Sequence, residues 1–334
     1  MIRELKGQRF LVTGGAGFIG SHLVDKLLAC GGNVTVLDNF STGRRENLTE
    51  AAQNARFTLI EGDIREPDIC RMAVAGCDAV FHEAALGSVP FSIADPAAAT
   101  SVNIAGFVNM LSAAKENPGT RFIYASSSSV YGDNPELPKV EDRTGTPLSP
   151  YAITKFVDEL YAANFHALYG IDTVGLRYFN VFGPRQNPAS SYAAVIPKFI
   201  SALLRHTSPE IYGDGETSRD FTYVENVVNA NLQALRAPGG ESVNQVYNIS
   251  NAKRTTLNEL FSILRNELAR HDAAVGNIEP IHAAPRTGDI RHSFADISKA
   301  KHLLDYTPEH SFTDGIRQTV QWYIQNQTEI IRQN

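Results

Sequence analysis

The chain has 334 residues, 43% of them apolar and 20% charged, with a formal net charge of −6 and a pI near 5.9. That length is enough for a large core and points to two domains, or to one domain with a sizeable lobe. No basic field is present, so neither nucleic acid nor an anionic membrane is expected as a partner, and any bound anion must be held by local groups. Cys30, Cys70 and Cys77 are an odd number without metal-site spacing. Buried or free thiols are therefore expected, with no disulfide framework and no metal. Met1–Gln8 is charged and runs straight into a strand, and no apolar run looks long enough to span a bilayer, so a cytoplasmic protein is expected.

Short β-branched runs alternate with amphipathic stretches through the first half, the pattern of parallel βαβ units. Strands are predicted at Arg9–Thr13, Asn33–Leu37, Phe57–Glu61, Ala79–His82, Arg121–Ala125 and Thr173–Leu176. Helices are predicted at Ile19–Ala29, Ala99–Glu116 and Tyr151–Tyr169. Beyond Arg177 the texture changes to Pro, Gly and polar punctuation, as in Phe182-Gly183-Pro184-Arg185 and Tyr212-Gly213-Asp214-Gly215, which marks a second lobe. A late apolar strand at Val246–Ile249 can rejoin the sheet. The expected architecture is α/β, a doubly wound parallel sheet of Rossmann type with a smaller mixed α/β substrate-binding lobe. The sheet domain would hold residues 1–178 plus about 228–252, and the lobe about 179–227 plus 253–334.

Gly14-Gly15-Ala16-Gly17-Phe18-Ile19-Gly20 follows the first strand and opens the first helix. Gly14 permits a tight turn, Gly17 lets backbone approach a pyrophosphate, and Gly20 lets helix pack on strand, while the helix amino terminus favours negative charge. Phe18 and Ile19 belong to the same turn. Asp38 ends the second strand about 20 residues after the glycines, where a carboxylate accepts hydrogen bonds from ribose hydroxyls and repels a 2′-phosphate. This favours NAD over NADP, although Arg44 and Arg45 lie close in sequence. Asn39, Ser41 and Gly43 share that loop. Asp63 and Ile64 follow the third strand, placed for adenine, and Ala84 and Ala85 follow the fourth, placed to line the cofactor.

Tyr151-Ala152-Ile153-Thr154-Lys155 puts a phenol and an ammonium four residues apart, on one face of a helix. Lys155 can then favour the phenolate of Tyr151, whose free pKa is about 10. Alone, such a spacing is more often a solvated surface pair. Here it stands downstream of the glycine turn and of the Ser126–Ser129 run before Val130-Tyr131-Gly132. In the second lobe Asn180, Lys198, Arg219 and Arg286 offer the multiple donors that a diphosphate needs.

These motifs in this order resemble the extended short-chain dehydrogenase/reductase superfamily, and the likeness covers nearly the whole chain. Within it, His82–Pro90, Arg177–Gly183, Gly215–Phe221 and Arg286–Asp289 are similar to UDP-sugar 4-epimerases, and most of all to the UDP-N-acetylglucosamine 4-epimerases. The resemblance implies tightly bound NAD regenerated at each turnover, a UDP-sugar substrate and a homodimer. The dimer would be built on the Ala99–Glu116 and Tyr151–Tyr169 helices with Phe156, Ala163 and Ala167. It also implies that Tyr151 and Lys155 are catalytic and bind the cofactor, and that Ser127, four residues before the tyrosine of Val-Tyr-Gly, bonds the sugar 4-oxygen. Ser126, Ser128 and Ser129 leave that register open. Related dehydratases and decarboxylases carry acids where this chain has Ser128 and Ser129, so a second chemical step is not expected. By the same resemblance Arg219 and Arg286 hold the diphosphate, Asp289 holds a ribose hydroxyl and Tyr212 lies near uracil. Gly87, Ser88 and Ser128 face the sugar, and Val195 lies beside Lys198 in the substrate site. Ser293, seven residues after Arg286, borders the hexose and leaves room for a 2-acetamido group, or else caps a turn before Phe294. Phe91 stands where the subgroup commonly has arginine. A net UDP-sugar oxidoreductase and a non-catalytic NAD-sensing scaffold are the competing readings.

Overall fold

The computed structural model describes residues 5–187, 194–285 and 291–326. Six strands come first in chain order: β1 (Arg9–Thr13), β2 (Asn33–Asp38), β3 (Phe57–Glu61), β4 (Ala79–His82), β5 (Arg121–Ser127) and β6 (Thr173–Tyr178). With Gln245–Ile249 they form one seven-stranded sheet in the order Gln245–Ile249, β6, β5, β4, β1, β2, β3. Every pairing in it is parallel. The order reverses between β1 and β4, and a crevice opens there at the carboxyl ends of the strands.

Alternation along each strand divides the core into two layers. Phe10, Val12, Val36, Phe81 and Ile123 point to one face, where the helices α1 (Phe18–Ala29) and Val224–Arg236 contribute Leu23, Leu27 and Val228. Leu11, Leu37, Val80, Phe122 and Tyr124 point to the other. There they meet Cys70 and Val74 of the helix α2 (Pro67–Val74), Phe107 and Met110 of Gly106–Lys115, and Ala162 of Pro150–Tyr169. Both faces are covered, which is why these strands read as continuous apolar runs.

The predicted Ala99–Glu116 helix is three consecutive pieces: Pro96–Thr100, a π-helical turn Ser101–Ala105, and Gly106–Lys115. The run is long and apolar enough to cross a membrane, contrary to expectation, yet Phe107, Met110 and Leu111 are buried against the sheet. The wide turn carries Asn103. Its amide accepts from Leu86 N at 2.8 Å and donates to Thr154 Oγ1 at 3.1 Å, tying the loop after β4 to the Pro150–Tyr169 helix.

A second core gathers Phe182, Phe199, Phe221, Leu260, Phe312 and Val320 under the helices Val195–Leu204, Leu257–Ala269 and Phe312–Gln325. The division differs from the expected boundaries at 295–306, because Ala295, Ile297, Leu304 and Tyr306 pack into the larger core. Apolar surface, not position in the chain, decides to which core the Ser298–Leu304 helix belongs.

Candidate active site

Strand ends and helix starts build the site. Gly14 has φ +67°, and a Cβ there would stand 2.8 Å from the backbone of Ala84; one at Gly20 would stand 2.3 Å from Gly14 O. The turn thus presses β1, α1 and the loop after β4 together more closely than any side chain permits. Gly17 caps α1 without a side chain, leaving the amides of the first helical turn facing a cavity of about 490 Å³. That cradle fits a pyrophosphate. Asp38 sits at the next corner, accepting from Ala16 N at 2.9 Å and Phe40 N at 2.8 Å. Burial pushes its carboxyl up, against those two amide bonds. Each oxygen keeps a second lone pair for ribose hydroxyls.

Asp63 is held by Arg65 at 2.9 and 2.7 Å and by Asn39 Nδ2 at 2.8 Å. The Arg65 guanidinium brings its carboxyl down to about 2. Gly14, Gly17, Phe18, Ile19, Gly20, Asp38, Asn39, Ser41, Gly43, Asp63, Ile64, Ala84 and Ala85 all line this one cavity.

At the other end of the cavity stand Gly87, Ser127, Ser128, Tyr151, Lys155 and Asn180. Pro150 at the first helical position and Ser149, whose hydroxyl accepts from Ala152 N at 3.2 Å, start the helix one residue before Tyr151. Lys155 is buried; its Nζ donates to Ala125 O at 2.9 Å and to Asp158 Oδ2 at 3.2 Å. Burial draws the Lys155 pKa down, but Asp158, Tyr151 and Glu83 outweigh it and the ammonium is held charged.

The serines separate cleanly. Ser126 Oγ donates to Glu159 Oε1 at 2.5 Å, and Glu159 is engaged by Arg177 at 2.8 and 2.7 Å, so Ser126 is spent inside a buried ion pair. Ser127 Oγ accepts from Ser129 N at 3.1 Å and Ser129 Oγ at 2.9 Å. Both its lone pairs are used, and its own proton remains to donate into the cavity.

A second cavity of about 630 Å³ continues from the first and shares Asn180, Val181 and Gln186 with it. Val195, Lys198, Tyr212 and Arg219 line it. The Arg219 guanidinium is steadied by Ser218 O at 3.0 Å. Arg286 and Asp289 lie outside the described residues. Ser88 and Ser293 are not brought to either cavity wall. Ser88 is the N-cap of Val89–Ala94, its hydroxyl accepting from Phe91 N at 3.1 Å, while Ser293 N donates to Ser218 O at 3.0 Å. Phe91 lines neither cavity.

Sequence reasoning passed over Glu83, Tyr178 and Gln186, all wall residues. Tyr178 OH donates to Glu83 Oε1 at 2.8 Å, and burial pushes the Glu83 carboxyl up to about 7, although Tyr178 and Lys155 draw it down. An ionisable residue at the end of an apolar strand was the available signal.

The chain matches the NAD dependent epimerase/dehydratase family over residues 10–250. It is 43% identical to a UDP-N-acetylglucosamine 4-epimerase from Methanobrevibacter ruminantium, solved in complex with UDP-N-acetylmuramic acid. That match covers 96% of this chain and 99% of the other, with a TM-score of 0.90. A UDP-glucuronic acid 4-epimerase mutant from Bacillus cereus, in complex with NAD and UDP-4-deoxy-4-fluoro-glucuronic acid, is 31% identical over 95% of this chain and 99% of its own, with a TM-score of 0.85. The UDP-glucose 4-epimerase of Mycolicibacterium smegmatis is 37% identical, covering 94% and 98%. A glycine cradle for a dinucleotide, a Tyr-Lys pair at its far end and these likenesses agree: the chain belongs to the NAD-dependent epimerase/dehydratase family within the extended short-chain dehydrogenase/reductases.

Proposed function

We propose that this protein is a UDP-hexose 4-epimerase whose preferred substrates are UDP-N-acetylglucosamine and UDP-N-acetylgalactosamine. The observation that carries this reading is the convergence of Ser127, Tyr151 and Lys155 on one end of the cavity that begins at the glycine cradle. Tyr151 takes the proton of the sugar 4-hydroxyl and later returns it; Ser127 donates its unused proton to the same oxygen; Lys155 holds a positive charge beside the phenol. NAD, when bound along this cavity, would supply the acceptor for the C4 hydride and its return to the opposite face of the 4-keto sugar, which would invert C4 with no net change in the cofactor. Ser128 and Ser129 stand where related dehydratases and decarboxylases carry acids, which favours reaction at one carbon without elimination or decarboxylation.

Arg219, Lys198 and Asn180 hold the UDP diphosphate, with Arg286 completing the cation set and Asp289 bonding a ribose hydroxyl, while Tyr212 packs near the base. The acetamido preference rests on the resemblance that sets Ser293 beside the hexose; Ser293 lines neither cavity, but its backbone is tied to Ser218, the neighbour of the wall residue Arg219, and its small side chain adds no bulk there. Two copies pair through the Pro150–Tyr169 helix. Its Ile153, Leu160 and Leu168 are 49%, 56% and 64% exposed on one stripe with Ala163 and Ala167, whereas Phe156 packs against the larger core.

Incubating the purified protein with each UDP-sugar and separating the products tests the reading. The 4-epimer is expected without net NADH, and from the acetylated pair fastest. Stoichiometric NADH would make the protein a net oxidoreductase, and tight nucleotide binding without turnover would make it a scaffold. Ser293→Tyr should suppress the acetylated pair and spare UDP-glucose and UDP-galactose; equal losses on both pairs would remove the gate.

A further inference from the structure

Glu83 leaves β4 at the point where the strand order reverses, its N–H donating to Thr13 O at 3.2 Å. Its carboxyl, on the cavity wall, accepts from the hydroxyl of Tyr178, which in turn accepts from Asn231 Nδ2 at 2.9 Å. The charged and titratable groups that face it are Lys155 from the Pro150–Tyr169 helix and Tyr178 from β6. The Val224–Arg236 helix offers it only the neutral Asn231, through Tyr178. Asp38 and Asp63 line the same cavity from the ends of β2 and β3, at the ribose and adenine end. Among the described wall residues, Glu83 is therefore the one carboxyl beside Ser127, Tyr151 and Lys155.

Whatever accepts the hydrogen from a carbon whose oxygen Tyr151 and Ser127 hold has to lie in contact with that carbon. The nicotinamide of bound NAD consequently comes to the end of the cavity that Glu83 lines. An oxidised nicotinamide is a cation; reduction adds two electrons and one proton, together a hydride, and leaves it neutral. We propose that Glu83 is a positioning residue that acts on the redox balance of the cofactor, its carboxylate favouring the oxidised nicotinamide and taking up one proton from solvent when the ring is reduced. Function follows from that bias. A regenerating enzyme must return the hydrogen to the keto sugar before the sugar escapes, and a cofactor biased toward its oxidised form does so. The high carboxyl pKa fits a group that changes protonation on loss of one positive neighbour.

The proposal rests on NAD acting in this cavity, and its test reads the cofactor rather than turnover. Wild type and Glu83→Gln are purified as holoproteins and equilibrated with a graded redox couple through a mediator dye. The bound NADH fraction is followed by its near-ultraviolet absorbance. The amide oxygen of Gln can still accept from Tyr178. Well above the titration of Glu83, the variant is expected to hold roughly tenfold more reduced over oxidised cofactor than wild type at the same potential. Well below it, where both side chains are neutral, the two curves should merge. Tyr178→Phe, which removes the hydrogen bond and keeps the charge, should leave the ratio within about twofold of wild type.

Coincident curves at high pH, or an offset that does not change with pH, would overturn the role of Glu83. So would a Tyr178→Phe variant that reproduces the whole shift. If a variant loses its dinucleotide on purification, separate NAD and NADH affinities give the same ratio by linkage. An inactive protein whose cofactor ratio still shifts would sink the epimerase reading alone; an active epimerase with an unshifted ratio would sink this one alone.

Discussion

The two cavities that meet at Asn180 are built by different means. The first is made of main chain: glycines at which an added Cβ would stand 2.3–2.8 Å from neighbouring backbone, helix amides, and a carboxylate bonded to two backbone N–H groups. The second is made of side chains from distant segments, Lys198 on one helix, Tyr212 and Arg219 on short strands. A backbone-built pocket binds one shape and changes only at the expense of the fold, whereas a side-chain pocket can be retuned one residue at a time. Constant cofactor and variable sugar are the expected result.

The largest effect should come from the junction of the two. Tyr151→Phe removes only a hydroxyl, so the epimerisation rate is expected to fall by ~10²–10⁴-fold with NAD content and UDP-sugar affinity retained. A variant keeping more than about half of the activity would dismiss Tyr151 as the proton carrier. Next, Arg219→Ala should raise KM for UDP-sugar by about tenfold or more, the loss of a charge-assisted contact, while kcat and NAD content change little. A loss of NAD from this variant would erase the division of labour between the cavities.

Gly20→Ala should act in the opposite sense, costing about 1–3 kcal/mol of stability and NAD retention together, because its Cβ meets backbone that cannot turn aside. Gly87→Ala is the matched control. Nothing lies within 4 Å of a Cβ built there, so its melting temperature should stay at the wild-type value. Equal destabilisation in both variants would show that close backbone approach is not what Gly20 provides.

This contrast also explains what could be read from the sequence. β1, β3 and β4 have their predicted limits because apolar runs bounded by turns define them, and the glycine turn announces its own geometry. β2, β5 and β6 run one or two residues past prediction, into Asp38, Ser126-Ser127 and Arg177-Tyr178. Those polar residues look like loop, yet they keep the ladder while serving the site; function lies where local pattern and structure part. The π-turn at Ser101–Ala105 left no mark in composition, since it exists to present Asn103 to Leu86 and Thr154. Ser88 shows the reverse: a serine in a binding motif is taken up by helix capping. The smaller core was the least legible, because Phe182, Phe221, Leu260 and Phe312 meet only after the chain has crossed between the two cores.

The smallest effect separates the shape of the first cavity from its stability. Asp63 accepts from both Arg65 and Asn39, and the arginine holds its carboxyl at about 2, below the ordinary value of 3.8. A folded-state pKa that is depressed stabilises the fold above the unfolded value and ceases to do so as pH falls through the folded one. The contribution is therefore complete above about 4 and disappears only toward 2. Arg65 is largely exposed, so water screens the pair and its worth is well below what the shift alone suggests. Asp63→Asn should then cost less than about 1 kcal/mol in denaturant unfolding at neutral pH, with the same difference at pH ~5. A deficit of several kcal/mol would mean that this corner is held by side-chain charge rather than by backbone, and one that vanishes by pH ~5 would mean that the Asp63 carboxyl is not depressed in the fold.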